Sequence, residues 1–215
     1  MNALSDRHAR LRADADHWFT RAKAALLEQL PCRRGCSRCC VGPFAITILD
    51  VAELQQGMAS LDQTVREGIQ TRALSQMTTF EASFPRLTES PFLDSWSDQE
   101  LDKLVTQFAD LPCPALDSDG SCRVYPFRPI TCRTMGIPVE AGGLVEGACE
   151  VQTFVPIVRL PQALRKEETS LAEQEAVALQ ALRRTTALAG DEVLLPYGFL
   201  ADRVHRSRLL RGLRL

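Results

Sequence analysis

Leu4, Leu11, Trp18 and Ala25 recur every seven residues near the start of the chain, and Phe19, Ala22, Leu26 and Leu30 widen the apolar stripe. That spacing predicts one amphipathic helix over 4–30 with a single face turned to a core. Pro31 ends it, because proline has no amide to donate into a helix. Phe44-Ala45-Ile46-Thr47-Ile48 reads as a short strand. Asp50 and Glu53 stand at capping-box spacing ahead of a helix over 51–57, and a longer helix follows over 62–80. Ser97 and Glu100 repeat the capping signal before Leu101, Leu104, Val105 and Phe108, one face of a helix over 98–110. Trp18 and Trp96 read as core and edge packing.

The pattern breaks over 111–150. Pro112, Pro114, Pro126, Pro129 and Pro138 alternate there with Gly120, Gly136, Gly142, Gly143 and Gly147, which discourages long helices. Asp117-Ser118-Asp119-Gly120 predicts a hairpin turn between short strands around Leu116 and Val124, and Ala141-Gly142-Gly143 predicts a second turn. Helical patterning returns over 171–189, with Ser170 and Glu173 as a cap and Gly190 as terminator. The segment 202–214 is a basic tail. The chain thus divides into an N-terminal helix (1–31), a middle domain (32–150) and a C-terminal helical segment with its tail (151–215). The expected fold class is α+β, mostly α, with helices packed around a small irregular loop-and-hairpin lobe.

The composition is compatible with a packed core: of 215 residues, 45% are hydrophobic and 24% charged. A net charge of -2 gives no global pull toward nucleic acid. No run of about 18 apolar residues is present to span a membrane. The segment from Met1 to Leu30 lacks the continuous apolar stretch of a signal peptide, so a cytoplasmic location is expected. Residues 81–120 hold nine acids against two cations, whereas residues 1–40 hold eight cations against four acids. Two solvated, mutually attracting faces explain that segregation. His8, His17 and His205 fall on helices or the tail, away from the cysteines, and read as helix-face or surface residues.

The eight cysteines change the picture. Cys32, Cys36, Cys39 and Cys40 crowd into one short stretch; Cys113, Cys122, Cys132 and Cys149 follow after a long gap. The first group is flanked by Arg33, Arg34, Gly35, Ser37 and Arg38, which is no setting for core filling. Each cysteine of the second group lies at or beside a turn, as ligands delivered by separate loops do. In a reducing compartment clustered thiols bind metal more often than one another. Thiolates are the ligands of zinc and of iron–sulfur clusters, and eight of them would carry a formal charge of about -8. Arg128 and Arg133, beside Cys132, are expected to stand behind the ligands and soften that charge. Neighbouring side chains tend to point apart, so Cys39 and Cys40 are expected to serve two metals or two irons. The 113–149 loops would then fold over the 32–40 loop.

Cys32 to Cys40, then Cys113-Pro114-Ala115-Leu116, Gly120-Ser121-Cys122, Tyr125, Arg128-Pro129 and Cys132-Arg133, with a later Cys149, resemble the bacterial YkgJ-type cysteine-cluster family. The resemblance runs from about 32 to 150. It implies a zinc- or iron-chelating domain with a CxxCxxCC-like first cluster. Some related proteins resemble flagellin lysine methylases that use iron–sulfur chemistry. The first pair departs from the family pattern: Cys32 and Cys36 are separated by three residues instead of two, with Gly35 supplying a tight turn.

Cys32-x3-Cys36-x2-Cys39 also has the spacing of radical S-adenosylmethionine enzymes, but it follows a helix and no βα repeat comes after it. The expected function is metal binding through Cys32, Cys36, Cys39, Cys40, Cys113, Cys122, Cys132 and Cys149, with an iron–sulfur cluster favoured over Zn²⁺. Two other functions stay open: a cluster-dependent transferase such as a protein lysine methylase, and a zinc-stapled module that docks a protein partner.

Overall fold

The computed structural model describes residues 3–26, 35–137, 139–141, 144–146, 160–185 and 189–200. Cys32, Cys149, Pro31, His205 and the basic tail lie outside them. Helix α1 (Ala3–Ala25) opens the described chain. Its buried face runs through His8, Leu11, Ala15, Trp18, Ala22 and Leu26. Ala25, a heptad position, is exposed instead. A straight helix turns every 3.6 residues, so a seven-residue repeat drifts off the buried face by its fourth member.

Strand β1 (Ala45–Thr47) leads directly into α2 (Ile48–Ala59), which starts ahead of the expected position 51. Thr47 caps it by accepting from the Asp50 amide, so Asp50 and Glu53 are not a capping box. They lie inside α2 and are buried. Helices α3 (Gln63–Ser83) and α4 (Arg86–Glu89) follow. The expected capping box at Ser97 and Glu100 is present on α5 (Asp98–Gln107), where both reciprocal bonds form. In the Pro- and Gly-rich stretch the one α-helix among the described residues is the short α6 (Ile130–Thr134). Strands β2 (Val139–Ala141) and β3 (Leu144–Glu146) pair antiparallel with Ala141 opposite Leu144.

Helix α7 (Gln162–Thr185) begins well before the expected position 171. Ser170 therefore sits in its interior and caps nothing. Gly190 has a different reason to be glycine: a Cβ there would collide with Asp94 Oδ2 and meet Phe92 Cβ at 2.7 Å. Strand β4 (Glu192–Leu194) then pairs antiparallel with β1, and α8 (Leu195–Gly198) closes the described chain.

Among the described residues the architecture is mostly helical, with two small two-stranded antiparallel sheets. The apolar residues form two cores. One gathers α2, α3, α5 and α8 around the β1–β4 pair, with Phe80, Met77, Leu104 and Tyr197 at its centre. The other joins α1 to α6 and α7 through Trp18, Ala22, Ile130, Ile137 and Leu171. The Trp18 indole donates to Leu164 O at 2.8 Å, so the ring is buried without an orphaned N–H. No described helix is long and apolar enough to cross a membrane.

Candidate metal centre

Cys39 and Cys40 end a single 3-10 turn, Arg38–Cys40. Beyond it the chain runs antiparallel to the segment entering the second cysteine group. Cys113 N donates to Cys40 O at 2.8 Å, Gly42 N donates to Leu111 O at 2.8 Å, and Val41 is bridged to Pro112. These bonds set Cys40 beside Cys113 although the two are remote in sequence.

Helix α3 pins the second segment from behind. Its Arg72 Nε donates to Pro114 O at 2.9 Å and its Gln76 Nε2 to Pro112 O at 2.7 Å. Side chains thus satisfy carbonyls that a proline-rich stretch cannot pair in a sheet.

The Asp117–Gly120 turn forms as expected, with Gly120 N donating to Asp117 O at 3.0 Å. It is held by a single bridge, Leu116 to Cys122, and not by full strands. Gly120 has φ of +81° and its Cα lies so close to the first loop that a Cβ would meet Gly35 O at 2.9 Å. The hairpin tip therefore rests on the loop that carries Cys36. A 3-10 turn at Tyr125–Phe127 and the Arg128-Pro129 step then start α6, which carries Cys132 near its middle. Asp50 of α2 caps α6 from outside, accepting from Ile130 N at 3.1 Å.

Cys36, Cys39, Cys40, Cys113, Cys122 and Cys132 are all free thiols and all partly buried. Five of them perturb one another. Cys39 and Cys40, neighbours on the 3-10 turn, are the strongest influence on each other's thiol. Cys39 is lowered to about 6, and Cys40 is pushed far up. Burial raises Cys113 to about 12, and the neighbouring Cys122 adds to it. Burial likewise raises Cys122, and it raises Cys132 well above the usual thiol range, with Cys113 and Cys122 contributing. Cys40 feels both Cys113 and Cys132. The two cysteine groups therefore occupy one locus.

Among the described residues the thiols do not close into a triad; the group with three ligand atoms within 4.8 Å of one another is His8, Asp50 and Glu175. Thiolates at ~2.3 Å from a tetrahedral metal would stand only ~3.8 Å apart, so a metal would draw them in. The donor set fits such an ion. It is all thiol and half-buried.

Arg128 and Arg133 act on this locus mainly through their charge. Arg128 lowers Cys39, and both lower Cys122. Their hydrogen bonds go elsewhere. Arg133 is 5% exposed and donates from Nε to Arg128 O at 2.9 Å, from Nη2 to Pro126 O at 2.7 Å and from Nη1 to Asp16 of α1. Arg128 lies over the Tyr125 ring, 3.8 Å from its centroid, and reaches Asp16 Oδ1 at 3.4 Å. The pair thus fastens the cysteine-bearing turn to α1.

His8, expected on a helix face or at the surface, is only 2% exposed and faces Asp50 and Glu53. The sequence holds a signal for this: His8 stands three before Leu11 and seven before Ala15, on the buried stripe itself.

A family model, CxxCxxCC, described as "Putative zinc- or iron-chelating domain", matches residues 31–150. No curated protein and no solved structure matches the chain.

Proposed function

The chain belongs to the CxxCxxCC family, and from that premise we propose that it holds zinc or iron through Cys36, Cys39, Cys40, Cys113, Cys122 and Cys132, with Cys32 and Cys149 completing the set. The observation that carries this is the convergence of thiols from two sequence-remote stretches on one half-buried locus, where the backbone sets Cys40 beside Cys113. Uncompensated, that arrangement is costly; a bound cation turns the same crowding into ligation.

At least five thiols gather at this locus, where one tetrahedral zinc, or one iron–sulfur cluster, takes four. An all-thiolate donor set is the one iron–sulfur clusters use. Two zinc ions sharing thiolates are the second reading, and the closely coupled Cys39–Cys40 neighbours support it. Free thiols in such number suit a reducing compartment.

Anaerobic purification followed by an ultraviolet–visible spectrum and elemental analysis tests the proposal. Iron with sulfide and a broad visible absorbance supports the cluster. A colourless protein with two zinc ions per chain supports the second reading. A chain with no thiol-bound metal after anaerobic purification and reconstitution would sink both.

A further inference from the structure

Between the two apolar cores lies a polar seam to which three helices contribute. His8 comes from α1, Asp50 and Glu53 from α2, and Glu175 from α7. His8 is 2% and Asp50 1% exposed. Neither His8 ring nitrogen has a hydrogen-bond partner. Asp50 Oδ1 stands 3.5 Å from Nε2, and Glu53 Oε1 stands 3.8 Å from Nδ1. An imidazole so deeply buried with both nitrogens unpaired forfeits hydrogen bonds that water would give it.

The carboxylates are undersupplied as well. Glu53 is matched by Arg12, whose Nη2 reaches Oε2 at 2.8 Å. Asp50 and Glu175 both look to Thr47: its Oγ1 lies 3.3 Å from Asp50 Oδ2 and 3.0 Å from Glu175 Oε1. One hydroxyl hydrogen serves only one of them. Asp50 also accepts from Ile130 N, which leaves both charges in place. Three carboxylates thus face the Arg12 guanidinium and the His8 imidazole, which Asp50 and Glu53 hold toward its charged form. A divalent cation bound among them would take the place of the imidazole proton.

We propose that His8, Asp50 and Glu175, whose ligand atoms lie within 4.8 Å of one another, form a second metal site, separate from the thiol centre, for a single first-row divalent ion. One imidazole with two carboxylates is a harder donor set than thiolate; it suits manganese(II), iron(II) or zinc and is unfit for copper(I). An ion there would tie α1, α2 and α7 together. It would also fix Asp50, which holds the start of α6 and so the position of Cys132. The proposal does not depend on what the thiols bind.

The test compares metal per chain in full-length wild type, His8→Gln and Glu175→Gln, as purified and after equilibration with excess Mn²⁺, a probe that thiols bind weakly. Wild type is expected to carry one ion per chain more than either variant. Pulsed electron paramagnetic resonance of bound Mn²⁺ should show nitrogen coupling from one imidazole, lost in His8→Gln. Glu175→Gln should weaken Mn²⁺ binding at least ~10-fold, as disturbed metal shells do. The wild-type nitrogen signal needs no variant and so survives a variant that fails to fold. Equal metal in all three chains, or Mn²⁺ binding to wild type without nitrogen coupling, would overturn the proposal in favour of an imidazolium held between Asp50 and Glu53.

Discussion

Cys113 packs against the larger core, and burial there pushes its thiol up to about 12. Cys122 and Cys132 are raised for the same reason. A thiol that the fold keeps protonated stabilises the metal-free protein below its unfolded pKa, ~8.5. That contribution fades as pH climbs from there through the folded value. Metal-free protein should therefore lose stability steadily from about pH 9 to 12, which denaturant melts across that range would show; a flat profile would contradict the burial of these thiols. Metal uptake has the matching sign: ligation must displace protons, so affinity should rise with pH and each ion bound should release protons into weak buffer. Arg133 gives a second prediction at this scale. Arg133→Ala orphans the Arg128 carbonyl, leaves the Pro126 carbonyl with Arg12 alone and cuts the link to Asp16. It should cost about 2 kcal/mol and weaken metal retention ~10-fold. Wild-type stability and equal resistance to a chelator would show that the buried guanidinium holds nothing.

Helix α2 is the element that positions the centre, and its glycine shows how closely. A Cβ on Gly57 would meet Phe127 Cβ and Cγ, both at 2.8 Å. Alanine in place of an interior helical glycine ordinarily gains ~1 kcal/mol, but overpacking costs ~1–3 kcal/mol. Phe127 lies in the turn that leads to α6, so it cannot retreat without moving Cys132's helix. Gly57→Ala should lower stability by about 1 kcal/mol despite the better helix former; a raised denaturation midpoint would contradict the contact. Elements whose signals are local were legible in the sequence: the Trp18 stripe, the Ser97–Glu100 box and the Gly120 turn. Those set by distant partners were not. Helix α2 starts at Ile48 because β1, its lead-in, pairs with β4 late in the chain, and Asp50 is drawn inside to cap α6. Nothing in the local pattern around Asp50 and Glu53 separates a capping pair from a buried one. The same holds at Ser170, where the apolar face of α7 overrides a cap-like spacing.

For the whole molecule the central claim is that two remote cysteine stretches make one centre. The pairing of Val41 with Pro112, the Cys113–Cys40 backbone bond and the seating of Gly120 on Gly35 all close the same long loop. Residues 43–110, which form most of the larger core, are thereby held between the two stretches. If metal closes the loop, its removal should open the loop's ends first. Proteolysis after chelation should cut within 35–44 and 111–137 while α3 and α5 stay protected; cleavage unchanged by complete metal loss would separate the metal from the fold. The most direct measurement is metal per chain in the single variants Cys40→Ser and Cys132→Ser, prepared anaerobically beside wild type. Serine keeps the size of cysteine but is a poor substitute for a thiolate ligand. One shared centre predicts that each variant loses the same metal from the same spectroscopic species, although the two positions lie in different stretches of the chain. If each variant instead empties a different half of the metal content, or if Cys132→Ser keeps its full complement, the two stretches do not share a centre.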